Sequence, residues 1–218
     1  MTLAIFDLDN TLLNGDSDYL WGQFLAQQGH VDSAFYEKEN QRFYDEYVAG
    51  TLDILEFLEF SLAPLSQIEM HQLTQLHNQF MDEYIRPKIT KKSRALIQKH
   101  MDQKDTLLII TATNLFITAP IAKELNIANI IATEPEIVNN RYSGKVSGTP
   151  CFREGKVERL KVWLKGSGDN LANSCFYSDS HNDLPLLEMV TKPIAVDPDD
   201  TLRSHAEMKG WDIISLRD

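Results

Sequence analysis

The N-terminal stretch from Leu3 to Leu13 constrains the fold of this chain more than any other part of the sequence. A short apolar run, LAIF, ends abruptly in Asp7 and Asp9, and Thr11 follows two residues later. An apolar run of this length, ended by polar residues, is typical of a buried strand. In parallel sheets, ligands bind beyond the carboxyl ends of the strands. The stretch therefore predicts a strand that delivers two carboxylates to the ligand-binding edge of a sheet.

These two aspartates are close enough to repel each other. Side chains at positions i and i+2 of a strand lie on the same face, so Asp7 and Asp9 need a cation or a proton between them. A divalent metal ion satisfies this requirement, whereas a solvated acidic turn after the strand needs no ligand at all. From this stretch alone, both interpretations remain open.

Composition and charge narrow the classes of function. With 218 residues, of which 43% are hydrophobic, the chain is large enough for one domain with a substantial insertion. Its formal net charge of -11 argues against general binding to nucleic acids or to anionic membranes. The start of the sequence lacks the features of a signal peptide, and no stretch has the ~18 apolar residues of a membrane span. Because Cys151 and Cys175 form neither a metal motif nor a disulfide framework, we expect a cytoplasmic protein.

Helical periodicity dominates the region between residues 19 and 84. Hydrophobic side chains recur there at helical spacing, which predicts an all-helical unit inserted just after the first strand. Aromatic residues at this spacing, such as Phe35 and Phe43, are expected to belong to its core. Ser66 and Glu69 have the spacing of a capping box, which predicts that a new helix opens there.

Turn-forming pairs flank the helical unit at Asn14-Gly15 and at Arg86-Pro87. They predict two short hinges, because neither pair favours continuation of a helix or strand. The predicted division is therefore a catalytic core of residues 1–14 and 87–218 and a helical cap of residues 15–86.

Strands and helices alternate over the rest of the chain. The predicted strands are 106–111, 129–132, 174–178, 193–196 and 211–216. The predicted helices are 91–101, 115–125, 154–165, 184–190 and 201–209. Asn139-Asn140 predicts a hairpin turn. Alternation of this kind predicts a parallel sheet with right-handed crossovers. The predicted fold class is α/β, with a Rossmann-like parallel sheet core and an inserted all-helical cap.

Polar residues recur where these strands end. Thr111 ends the second strand, Asp179 and Asp183 follow the fourth, and Lys156 precedes the fourth on a helix. In this order FDLDNT, the Thr of ITAT, Lys156 of FREGK and SDSHND resemble the four motifs of the haloacid dehalogenase-like (HAD) phosphohydrolases. The resemblance covers essentially the whole core, and the helical insertion is similar to that of the phosphoserine-phosphatase-like branch, some of whose members act on histidinol phosphate.

The resemblance implies a reaction and a cofactor. Asp7 would be the nucleophile that accepts the phosphoryl group, and Asp9 would act first as general acid and then as general base. Asp7 and Asp179 would bind Mg²⁺ together with the backbone carbonyl of Asp9. Thr111 would donate a hydrogen bond to the phosphate, and Lys156 would neutralise the charge that builds up on it.

Further residues receive supporting roles from the same resemblance. Asn182 would contact the phosphate, and Asp183 would orient the motif lysine or a metal-bound water. Arg153 could reach the mouth of the site and bind a carboxylate or phosphate, and the alternative is a surface arginine. Ala112 and Thr113 stand where similar enzymes carry glycine, which narrows the space beside the phosphate.

Asp16 lies nine residues beyond Asp7, at the position of the cap acid that binds the substrate ammonium in similar enzymes. An acidic residue is retained there, so the resemblance implies an amine-bearing substrate. Asp18 is a second candidate for the same contact. Either aspartate could instead be the N-cap of the helix that begins near Tyr19.

The expected function is Mg²⁺-dependent hydrolysis of a small phosphorylated metabolite, with histidinol phosphate first and phosphoserine second. A lipid phosphate such as phosphatidylglycerophosphate is a further alternative. An alternative of another class is a phospho-accepting receiver module, because receivers also place acids, a Thr and a Lys around Mg²⁺. Receivers are short and have no general acid two residues after the accepting Asp, so Asp9 and the helical insertion favour the phosphatase. The sequence does not predict an oligomeric state.

Overall fold

The structure is a computed structural model that describes residues 2–218. Within these residues the strands β1 to β7 are Leu3–Phe6, Thr106–Asn114, Asn129–Val138, Arg141–Ser147, Cys175–Ser178, Lys192–Val196 and Asp212–Ile214. The helices α1 to α9 are Ser17–Gln27, Ser33–Ala49, Ile54–Gln67, Met70–Phe80, Lys91–Asp102, Leu115–Glu124, Glu154–Ser167, Leu184–Leu187 and Asp200–Lys209. None of the helices in this described range is long and apolar enough to cross a membrane.

All seven strands form one sheet in the order β4-β3-β2-β1-β5-β6-β7. Neighbouring strands are parallel except for the β3–β4 hairpin. Asn139 and Asn140 connect that hairpin with φ values of 51° and 59°, and positive φ at both positions is typical of a type I′ turn. The predicted α/β fold class and the hairpin are confirmed. Because the chain extends the sheet from β1 first toward β2 and later toward β5, β1 lies at the switch point where such sheets bind ligands.

Strand β1 is apolar throughout because helices cover both faces of the sheet. Ala4 and Phe6 belong to one buried hydrophobic cluster, and Leu3 and Ile5 belong to another on the opposite face. All four side chains are buried. This two-sided burial explains why the sequence of β1 is a continuous apolar run instead of an alternating one.

The insertion that contains α1 to α4 leaves and rejoins the core at adjacent points. Leu13 and Ile89 form an antiparallel bridge, and the N–H of Asn14 donates to the carbonyl of Lys88 at 2.9 Å. One hydrophobic cluster runs from the cap into the core and includes Phe80. The two ends of the insertion therefore lie side by side, near the predicted hinges, while the domain boundaries themselves stay a prediction.

The predicted capping box at Ser66 and Glu69 is wrong. Helix α3 continues through Pro64 and includes Ser66, and Glu69 precedes α4 without a side-chain capping bond. A proline inside a helix leaves the carbonyl four residues earlier without its usual N–H partner. Here that carbonyl belongs to Phe60, and it accepts the hydroxyl of Tyr36 at 3.4 Å. A contact from α2 thus compensates for the helix-breaking residue.

The second strand is longer than predicted. β2 continues beyond Thr111 to Asn114, with a register shift against β3 in between. Asn114 then caps α6, because its Oδ1 accepts the N–H of Ile117 at 3.2 Å. Thr111 therefore lies inside the strand and not at the junction between strand and helix.

Candidate active site

The structure brings the motif residues together at the carboxyl edge of the sheet. Asp7 directly follows β1, Thr111 lies near the end of β2, and Lys156 reaches the same place from the first turn of α7. Together with Asp9 these residues line one cavity, whose other walls come from α1, α2 and α3. Asp179 directly follows β5 and lines a second, adjoining cavity. The predicted catalytic residues thus form a single site under the cap.

Lys156 is the centre of a buried ion network. Its Nζ lies 2.8 Å from Asp7 Oδ1 and 2.7 Å from Asp183 Oδ1, and its side chain is almost completely buried. Ser178 holds Asp183 in place by donating its hydroxyl at 2.7 Å. Burial by itself would lower the pKa of Lys156, but the charges of Asp183 and Asp7 outweigh it and raise that pKa well above its usual value. The lysine is therefore a permanent positive charge beside Asp7.

Asp7 and Asp9 both hold their protons more tightly than ordinary aspartates. Burial is the main cause, and it raises the pKa of Asp7 to about 7 although Lys156 opposes the shift. Burial and the charge of Asp16 raise the pKa of Asp9 to about 6. A carboxyl group with a pKa near neutrality can both donate and accept a proton at working pH. Asp9 therefore has the acidity that a general acid and base needs.

Hydrogen bonds from two directions fix the carboxylate of Asp9. The N–H of Ser17 donates to Oδ1 at 2.7 Å, and the hydroxyl of Thr113 donates to Oδ2 at 2.9 Å. Thr111 is a weaker neighbour, with its hydroxyl 3.4 Å from Oδ2. The cap and the second strand thus orient Asp9 together.

The loop that carries Asp9 runs from Leu8 to Leu12 and is closed by the N–H of Leu13, which donates to the carbonyl of Leu8 at 2.9 Å. It is not a regular helical turn, because Asp9 has an extended backbone with a φ of -73° and a ψ of 134°. Asn10 within it has a φ of 55°, so its carbonyl points away from an ordinary helical path. The guanidinium of Arg217 donates to the carbonyls of Asn10, at 2.5 Å, and of Leu13, at 3.2 Å. An arginine from the far end of the chain therefore stabilises the loop around Asp9.

The donor set beside Asp7 fits Mg²⁺. Lys156 pairs with Asp7 and Asp183. Within residues 2–218, Asp179 has no cationic side chain as a partner. Burial and the charge of Asp7 raise the pKa of Asp179 well above its usual value, and the hydroxyl of Thr11 donates to it at 3.0 Å. No cluster of three or more His, Cys, Asp or Glu side chains with metal-binding spacing occurs in this range. Two carboxylates completed by backbone oxygen and water suit Mg²⁺ better than a transition metal.

Arg153 and Asn182 lie at the contact between core and cap and are not among the residues that line the main cavity. Arg153 Nε donates to Asn182 Oδ1 at 2.9 Å and its Nη2 donates to the carbonyl of Gly50 at 2.5 Å. Asn182 donates to the carbonyl of Tyr47 at 3.2 Å. The C-terminal end of α2 is thus bound to the core, and the predicted contacts of both side chains with substrate stay predictions.

Gly50 is required at this contact by its conformation and by the space around it. It ends α2 with a φ of 72°, in the left-handed region that favours glycine. A Cβ at this position would lie 3.0 Å from Nε2 of His181 and 3.3 Å from Nη2 of Arg153. Any larger residue would be strained at this φ, and the side chains of His181 and Arg153 would have to shift by a few tenths of an ångström to accommodate it.

The structure separates the roles of the two cap aspartates. Asp16 is the N-cap of α1, because its Oδ1 accepts the N–H groups of Asp18, at 3.0 Å, and of Tyr19, at 2.9 Å. Asp18 lies in the first turn and does not cap the helix. Burial raises the pKa of both carboxyl groups, and for Asp18 the charges of Asp16 and Asp9 add to the effect. Both aspartates line the main cavity with Asp7.

The expectation that the aromatic residues of the cap are core residues holds only in part. Phe35 is 57% exposed, whereas Phe43 is buried. Phe43 also lines the main cavity, so a buried aromatic can belong to the core and to the site at once. The other aromatic residues that line this cavity are Tyr19, Tyr44, Tyr47, Phe57 and Phe152.

Sequence reasoning missed the residues that hold the carboxylates in place. Thr11, Thr113 and Ser178 each donate a hydroxyl hydrogen bond to an acid of the site. Thr11 stands inside the first motif, and Thr113 occupies a position of the second motif where glycine is expected, so both carried a detectable signal. Arg217 carried none, because it lies about 200 residues from the loop that it binds.

Comparison with known proteins agrees with this geometry. A family model for haloacid dehalogenase-like hydrolases matches residues 4–188. A histidinol-phosphatase of Neisseria meningitidis serogroup C (strain 8013) is 46% identical over 99% of both chains. The phosphoserine phosphatase SerB1 of Mycobacterium tuberculosis (strain ATCC 25618 / H37Rv) is 30% identical over 98% of this chain and 70% of its own length.

Solved structures extend the agreement to the fold. A protein of unknown function from Bordetella pertussis Tohama I superposes with a TM-score of 0.93, at 43% identity and with full coverage of both chains. A substrate-bound phosphoserine phosphatase superposes with a TM-score of 0.73 at 18% identity, covering 99% of this chain and 93% of that one. Motifs, fold and relatives agree, and the chain belongs to the haloacid dehalogenase-like hydrolases, in the branch that contains phosphoserine phosphatase.

Proposed function

We propose that this phosphoric monoester hydrolase acts on histidinol phosphate, with Asp7 as nucleophile and Mg²⁺ as cofactor. The observation that carries the substrate is the charge of the main cavity. Asp7, Asp9, Asp16 and Asp18 line it, and Lys156 is the one cationic side chain among its described lining residues. A substrate with a phosphate at one end and positive charge at the other complements this distribution. The 46% identical histidinol-phosphatase supports the same choice.

Phosphoserine fits the cavity less well because it carries a carboxylate as well as an amine. A carboxylate needs an arginine, a lysine or free N–H groups as partners. Lys156 is already engaged by Asp7 and Asp183, and Arg153 donates to Asn182 and to the cap backbone. Histidinol phosphate has no carboxylate, so its binding leaves no such unpaired charge in the cavity.

The chemistry follows from the positions of the two catalytic acids. A carboxylate oxygen of Asp7 attacks phosphorus, the bond from phosphorus to the substrate oxygen breaks, and Asp9 donates its proton to the departing alcohol. Asp9 then takes a proton from water, whose oxygen attacks phosphorus and releases inorganic phosphate from Asp7. Lys156 stabilises the negative charge on the phosphoryl oxygens in both steps. When bound to Asp7 and Asp179, Mg²⁺ supplies further charge neutralisation at the phosphate.

A panel of phosphomonoesters tests the substrate. We expect kcat/KM for histidinol phosphate to exceed that for phosphoserine by at least ~10-fold. The carboxylate of phosphoserine would be buried in the cavity without a partner, and this raises the free energy of its transition state. The measurement is steady-state phosphate release with Mg²⁺ present, with p-nitrophenyl phosphate as a general control. Equal or faster turnover of phosphoserine, or turnover of phosphatidylglycerophosphate alone, contradicts the proposed substrate and leaves the chemistry intact.

Thermal unfolding at different pH values tests the Mg²⁺ site. The folded-state pKa values of Asp7, about 7, and Asp9, about 6, lie above the ~3.9 of an unfolded aspartate, so the folded state binds these protons more tightly. The stability that they contribute is complete below about pH 4 and is lost as the pH rises through 6 and 7. We expect the Tm in EDTA to fall between about pH 5 and about pH 8, and Mg²⁺ to raise it most at the higher pH. An equal Mg²⁺ effect at both pH values contradicts metal binding by the carboxylate of Asp7.

A further inference from the structure

Asp18 is a buried acid that the chemistry of the site does not use. The residue is 8% exposed, and its Oδ2 is buried with no hydrogen-bond donor among the residues that the structure describes. It lies in the first turn of α1, where Asp16 already provides the cap. A buried carboxyl group without a partner is costly, and in native proteins such a group calls for an explanation.

The surroundings of Asp18 suggest what its missing partner is. The acid lines the main cavity together with aromatic side chains of α1, α2 and α3. Phe43 and Phe57 are two of them, with ring centroids 5.3 Å apart in an edge-to-face arrangement. Flat rings pack well against such walls, and a positively charged ring is also attracted to aromatic faces. An aromatic wall with one unpaired acceptor suits a planar ring that donates N–H.

Asp16 is equipped for a different contact. Its Oδ1 accepts two backbone N–H groups, and neither of these bonds involves Oδ2. Asp16 is also more exposed than Asp18. The two acids therefore offer two separate places for positive charge, a polar one at Asp16 and an aromatic one at Asp18.

We propose that Asp18, Phe43 and Phe57 form a subsite for the imidazole ring of the substrate, in which a ring N–H donates to the carboxylate of Asp18. This inference rests on the proposed function, because histidinol phosphate carries both an amine and an imidazole. Asp18 is then a second cap acid that determines specificity, in addition to Asp16. Substrates that have the amine but no ring would leave the subsite empty.

Competition with the unmodified enzyme tests the subsite without any substitution. Histamine and phenethylamine carry the same amine, but only the ring of histamine donates N–H. We expect histamine to inhibit p-nitrophenyl phosphate hydrolysis at a concentration at least ~10-fold lower than phenethylamine, as a hydrogen bond to a charged group allows. Equal inhibition by the two amines overturns the proposal.

Substitution of Asp18 gives the second test. Asp18→Asn keeps the size of the side chain and removes its charge, so kcat/KM for histidinol phosphate should fall by about 10-fold or more. The kcat/KM for phosphoethanolamine, which has an amine and no ring, should change by less than about twofold. A change this small is less than the loss of a hydrogen bond to a charged group would cause. The Tm should not fall, because the change removes an unpaired buried carboxyl group. Asp53→Asn is the matched control, since it alters an exposed helix N-cap of the same cap and asparagine caps equally well.

The outcomes separate this inference from the proposed function. If the wild-type enzyme hydrolyses histidinol phosphate and Asp18→Asn does so equally well, the subsite is wrong and the substrate stands. A uniform loss with all substrates, or a large fall in Tm, also overturns the subsite, because it assigns Asp18 a structural role. The wild type could also fail to hydrolyse histidinol phosphate and still be inhibited more strongly by histamine than by phenethylamine. If Asp18→Asn then loses this difference in inhibition, the subsite stands and the substrate is wrong.

Discussion

Replacing Asp7 with asparagine should reduce phosphate release from every substrate by at least ~10³-fold, because the amide cannot act as the nucleophile. Asp7 is the one acid of the site that directly follows the central strand and contacts Lys156, at 2.8 Å. The fold should survive, since Lys156 keeps Asp183 as a partner. Phosphate release from p-nitrophenyl phosphate and from histidinol phosphate measures the loss, and a thermal melt confirms the fold.

The control for this variant is Asp32→Asn. Asp32 is an exposed N-cap of α2 that accepts the N–H of Phe35 at 2.7 Å, and asparagine caps a helix equally well. Its activity and Tm should therefore match those of the wild type. Intact-mass spectrometry after an acid quench adds a direct readout, because the wild type should carry a phosphoryl group that Asp7→Asn lacks. Appreciable activity of a folded Asp7→Asn variant contradicts the aspartyl-phosphate mechanism.

Lys156→Met should cause a large loss of both activity and stability. The substitution leaves Asp7 and Asp183 buried beside each other without their common cation. Removal of one partner from a buried ion pair typically costs ~3–5 kcal/mol in the free energy of unfolding. The loss of a charge that stabilises the transition state typically lowers kcat by ~10²–10³-fold. Denaturant unfolding and steady-state kinetics measure the two effects separately.

Two further variants show whether the ion network explains these losses. Lys161→Met, on the exposed part of the same helix α7, should leave both properties unchanged. Adding Asp183→Asn to Lys156→Met removes one of the two unpaired carboxylates, so stability should recover in part while activity should not. A stable Lys156→Met variant with normal kcat would show that the lysine is not the counterion of the reaction.

The order of secondary structure could be predicted from sequence because its signals are local. The run LAIF, buried on both faces of the sheet as β1, and the Asn139-Asn140 turn both depend on residues close together in the chain. The capping box at Ser66 and Glu69 failed for the opposite reason. Whether a helix continues through Pro64 depends on a partner for the freed carbonyl, and that partner comes from another helix.

The active site divides in the same way. The α/β core, the helical insertion and the set of motif acids that includes Asp7 and Asp179 were predictable from the order of residues, because the residues that follow parallel strands meet at one edge of the sheet. The folded structure was needed to show that Arg217 binds the loop around Asp9, that Arg153 contacts the cap, and that Asp18 is buried without a partner. Such facts depend on which distant surfaces meet and what water they exclude, and no local pattern of residues encodes that. The stretch FDLDNT points to a phosphatase, whereas the substrate that we propose depends on the residues that the cap places around the cavity.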